Sequence, residues 1–96
     1  MVPTPVSKIW LVFRHGYEYV FMHGETSMLT VTLSPTAITL FNQCHVKADD
    51  LAKQAAEWAQ FINRTSGIVD LNTESNDLSE FCQYYFQNKA LEKRVC

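Results

Sequence analysis

The sequence predicts an α+β fold: an antiparallel sheet of about four strands in the N-terminal half, followed by two α-helices packed on it. Three observations carry this. Leu29-Thr30-Val31-Thr32-Leu33 alternates strictly between apolar and hydroxyl side chains, the period of a half-buried strand. Past Gln43–Val46 the rhythm changes, and Leu51, Ala55, Trp58 and Ile62 fall on one side of a helix with about 3.6 residues per turn. The chain has 96 residues without repeats or linkers, which is one domain spanning 1–96 with one core.

The elements follow in order. Residues 1–7, with prolines at 3 and 5, form an extended N-terminal arm. Lys8–Arg14 reads as a strand, and a two-residue link at His15-Gly16 turns it back into Tyr17–His23, glycine supplying the positive φ of a tight hairpin. His23–Ser27 is a second turn and Met28–Leu33 the third strand. Ser34-Pro35 breaks it. Ser-Pro can open a helix, but the β-branched Thr36, Ile38 and Thr39 favour a fourth strand over Thr36–Phe41.

The first helix is expected over Ala48–Arg64, with Asp49 and Asp50 in its first turn and Ser66-Gly67 ending it. Ile68–Leu71 is a short extended connector or edge strand. The second helix starts near Asp77, where Asp77 and Glu80 have the spacing of a capping box, and runs to about Arg94. Leu78, Phe81, Cys82, Tyr85 and Phe86 form its main apolar stripe, with Tyr84, Leu91 and Val95 on another side.

The pairing set by a His15-Gly16 loop gives the hairpin two apolar faces. Trp10, Val12 and Arg14 lie with Tyr17, Tyr19 and Phe21 on one face; Ile9, Leu11 and Phe13 lie with Glu18, Val20 and Met22 on the other. A sheet packed on helices ordinarily keeps one face polar. The second face therefore calls for cover: the chain's own segments, a homodimer partner or another protein. Trp, Tyr and Arg are the residues most enriched at binding hot spots, which marks Trp10, Val12, Arg14, Tyr17, Tyr19 and Phe21 as a candidate protein-binding face.

Charge narrows the partner. The net charge of −2 lacks the concentrated basic surface that nucleic-acid binding needs. Base stacking on the sheet aromatics would also need more cations than Lys8 and Arg14. No base lies between Arg64 and Lys89, where Asp70, Glu74, Asp77 and Glu80 all fall. Those four are either a solvated loop and helix start or an acidic patch that steers a basic partner.

The inventory for catalysis is thin. Cys44, Cys82 and Cys96 are widely spaced and resemble neither a disulfide framework nor a zinc site. With no apolar stretch of about 20 residues and no visible signal peptide, the expectation is a protein of a reducing, cytoplasmic compartment. His15 and His23 sit at opposite ends of a strand, about 25 Å apart, too far to share a metal or proton. Cys44 and His45 are adjacent, so on extended backbone they point apart, poor geometry for a nucleophile and its base. Helix capping accounts for Asp49, Asp50, Asp77 and Glu80.

The function expected is that of a small non-catalytic protein-binding regulator with no cofactor: an inhibitor, an immunity- or antitoxin-like factor, or an adaptor. A phage or mobile element is one source that would fit. The rivals are a small enzyme or ligand-binding domain with a Cys44/His45 pocket, and a homodimeric structural subunit of a larger complex.

Overall fold

The computed structural model describes residues 9–92, with side chains described as far as 87. The N-terminal arm expected over 1–7, the helix end at Arg94, and the side chains of Leu91 and Val95 lie outside the described residues. The described order is β1 (Ile9–His15), β2 (Glu18–His23), β3 (Ser27–Leu33), α1 (Pro35–Asn42), α2 (Ala48–Phe61), β4 (Gly67–Leu71) and α3 (Asn76–Glu92). The four strands form one sheet in the order β1-β2-β3-β4. The first three are antiparallel, and β4 lies parallel to β3. The class is α+β.

The fourth strand is not Thr36–Phe41. That segment is helical, and local hydrogen bonding explains why. The Ser34 hydroxyl accepts the Ala37 N–H at 3.1 Å, Pro35 fills the first turn, and the Thr39 hydroxyl donates to the Pro35 carbonyl at 3.0 Å. A cap is worth about 1 kcal/mol, more than the few tenths that separate β-branched residues from good helix formers. Ala37 and Phe41, four residues apart, are buried. The fourth strand is instead the connector, beginning at Gly67 (φ 99°). The path from β3 through α1 and α2 to β4 is a crossover, which parallel neighbours require.

The hairpin register also differs. The turn residues are Gly16-Tyr17, not His15-Gly16, and positive φ falls on Gly16 alone among the two. A two-residue turn with glycine first is type II′; glycine second would oblige His15 to adopt positive φ as well. His15 therefore pairs with Glu18, Arg14 with Tyr19 and Phe13 with Val20; then the ladder slips at Val12, and Leu11 pairs with Phe21 and Trp10 with Met22. The slip is a β-bulge, and with it Trp10 and Phe13 come to one face while Leu11 and Arg14 take the other.

Among the described residues, helices cover one face of the sheet and no element covers the other. Tyr19, Phe21, Leu29, Val31, Leu33, Val69 and Leu71 point into the core, alternating along β2, β3 and β4 with more exposed residues. On α2, Ala52, Ala55, Ala56 and Ala59 are all buried, and such small side chains let it lie close to the sheet. Between the helices Phe41, Trp58, Phe81, Tyr85 and Phe86 form an aromatic cluster with neighbouring ring centroids 5.1–5.9 Å apart.

Two helix ends use a left-handed residue other than glycine. At His45 (φ 65°) the Val46 N–H reaches the Phe41 carbonyl and the His45 N–H that of Asn42; at Asn63 (φ 66°) Arg64 and Asn63 repeat the pattern on Ala59 and Gln60. Asn63 thus closes α2 before the expected Arg64. At α3 the cap is Ser75, whose hydroxyl accepts the Leu78 N–H at 3.3 Å, and not Asp77.

Candidate docking face

The uncovered face of the sheet has three rows. Pairing puts His15, Glu18, Thr32 and Asp70 side by side across all four strands. The next row is Phe13, Val20, Thr30 and Ile68; the third is Trp10, Met22 and Met28. The side chains agree with the backbone. The Thr32 hydroxyl donates to Asp70 Oδ1 at 3.1 Å, and the rings of Phe13 and His15 stack at 6.4 Å. Phe13 is 55% exposed, Met28 54%, Ile68 62% and Trp10 40%. The last two rows are thus apolar apart from the Thr30 hydroxyl, and the first is polar with both of the face's acids.

The residues expected to bind protein are divided by the fold. Trp10, Val12 and Tyr17 are exposed. Tyr19 and Phe21 belong to the core. Arg14 lies at the rim of the helix-covered side, its guanidinium 5.0 Å from the Tyr19 ring centroid and 3.3 Å from Asp49 Oδ1. The Tyr19 hydroxyl donates to the same oxygen at 3.0 Å. Burial first, and the Asp49 carboxylate second, push the Tyr19 hydroxyl above its ordinary pKa.

The four expected acids differ in their surroundings. Asp70 joins the polar row, whereas Glu74 and Glu80 are exposed in the following turn and on α3. Asp77 is structural: its Oδ2 accepts from Arg64 and from the Asp70 N–H, each at 3.0 Å. Burial raises its carboxyl, but the Arg64 hydrogen bond and then the Asp70 N–H outweigh that, holding it below the usual value. Sequence reasoning did not mark Phe13, Met28, Ile68 or Glu18 as binding residues. The alternation along Met28–Leu33 carried part of the signal; the bulge and the parallel β4 carried none.

His45 is an exposed helix terminator, and Cys44 is disulfide-bonded, so its sulfur is no thiolate. The wide cysteine spacing carried no sign of this bond. Cys82 is a free thiol whose pKa burial raises, the reverse of an activated cysteine. Among the described residues no cluster of His, Cys, Asp and Glu could hold a metal, and no helix is long and apolar enough to cross a membrane.

Comparison with protein-family models, with curated proteins and with solved structures finds no match.

Proposed function

We propose that this chain is a small non-catalytic protein-binding regulator, an inhibitor, immunity- or antitoxin-like factor or adaptor, that docks on a larger protein through the uncovered sheet face. The observation that supports this reading is the exposure of Phe13, Met28 and Ile68 on a face that no described element covers. Large exposed side chains gathered in adjacent rows are characteristic of binding surfaces, whereas single ones are ordinary. Trp10, Val12 and Tyr17 extend the patch along β1 and its turn, while Tyr19 and Phe21 support it from beneath.

The test is capture from an extract of the source cells by the tagged chain and by its Phe13→Asp/Met28→Asp variant. The reading expects a stoichiometric protein held by the first and lost by the second, with both chains equally folded by circular dichroism. Identical retention by both would move the binding surface elsewhere.

A further inference from the structure

Glu18 and Asp70 occupy the same row, each one strand away from Thr32. With strands about 4.8 Å apart, their backbones are roughly 10 Å from each other. Both residues are exposed, and among the described residues neither carboxylate is in a salt bridge. Thr32 is hydrogen-bonded to Asp70, which fixes that carboxylate on this face. The remaining two rows carry no formal charge. The face is therefore polar in the directional sense, with negative charge at one end and an apolar floor at the other.

Charge decides what can cover it. Consider a second copy packed face to face. With strands running the same way, the copy's strand order is reversed but its acidic row still lies on this one, so four carboxylates would share two His15 imidazoles and no Lys or Arg. Turned end for end, each acidic row would lie on a Trp10–Met22–Met28 row and lose its water with no cation to replace it. Either arrangement is penalised, because a buried carboxylate needs an opposite charge.

We propose that the occupant is a protein segment with an apolar ridge and an Arg or Lys just beyond one end, seated over Thr32 between Glu18 and Asp70. The ridge lies on Phe13, Val20, Met28 and Ile68. A guanidinium suits this place best, since its planar fork can donate to two carboxylates at once. The acids then set the direction in which the partner lies, and the apolar rows supply the contact area. This inference rests on the docking reading above.

The test is a selection of random 16-residue peptides, displayed on phage, against the immobilised full chain, followed by titration of the best synthesised peptide. The expected peptides combine an apolar cluster with Arg or Lys at one end. Their affinity should fall about tenfold on Glu18→Gln/Asp70→Asn, and should also weaken as salt rises. Phe13→Ala/Met28→Ala should weaken them as well.

Peptides that need Phe13 and Met28 but ignore both acids overturn this inference and leave the docking reading intact. Peptides indifferent to all four positions overturn both. So does a selection without enriched peptides, whether the chain runs as a monomer or as a dimer.

Discussion

The Tyr19 hydroxyl donates to Asp49 Oδ1 at 3.0 Å, tying the buried face of β2 to the first turn of α2. The same oxygen receives Arg14 at 3.3 Å, so one carboxylate joins the two hairpin strands to the helix. Asp49 lies mostly in solvent, and the Arg14 pair by itself adds little. The tyrosine bond is the one to test. Tyr19→Phe should lower stability by about 1 kcal/mol in urea unfolding, and the loss should vanish in an Asp49→Ala background.

The buried and exposed aromatics should respond to truncation in opposite ways. Phe81 is fully buried in the aromatic cluster, and Phe81→Ala should cost about 3–5 kcal/mol. Phe13→Thr replaces an exposed ring with a strand-favouring residue and should stay within about 0.5 kcal/mol of the parent. Equilibrium denaturation of the two variants side by side reads the contrast directly.

His45 takes a left-handed conformation that costs an L-residue about 1–2 kcal/mol and glycine almost nothing. His45→Gly should therefore hold or raise the melting temperature, and His45→Ala should lower it.

Asp77 supplies an acid-dependent term. Its carboxyl is held below the ordinary value, so the folded state releases the proton more readily than the unfolded chain. The contribution is present above the unfolded carboxylate pKa, near 3.9, and is lost as pH falls through the folded value. Asp77→Asn should lower stability at neutral pH and flatten the fall between about pH 5 and 2. Chemical denaturation at a series of pH values checks both the size and the sign.

The strand count, the class and the start of α2 were legible because they rest on periodicity, which Leu29–Leu33 and Leu51–Ile62 display openly. What was hidden depended on choices of one residue. Gly16 can stand first or second in a two-residue turn, and the difference decides which neighbours β1 faces. The bulge at Val12 then brings Trp10 to the same side as Phe13, and no local pattern marks it. Thr36–Phe41 shows strand-like residues, yet the cap on Ser34 prevails. The acidic row could not be read at all from the linear chain, since Glu18 and Asp70 meet only after β4 has paired with β3.

The central claim is that the face bearing Trp10, Phe13 and Ile68 is uncovered in the free chain. Urea unfolding of the Trp10→Thr/Phe13→Thr/Ile68→Thr variant tests it most directly. An open face predicts a total loss within about 1.5 kcal/mol with an unchanged m-value, because strand propensity is kept and little buried contact disappears. A loss of several kcal/mol would show that these side chains are packed under part of the chain or another copy, and would contradict the account.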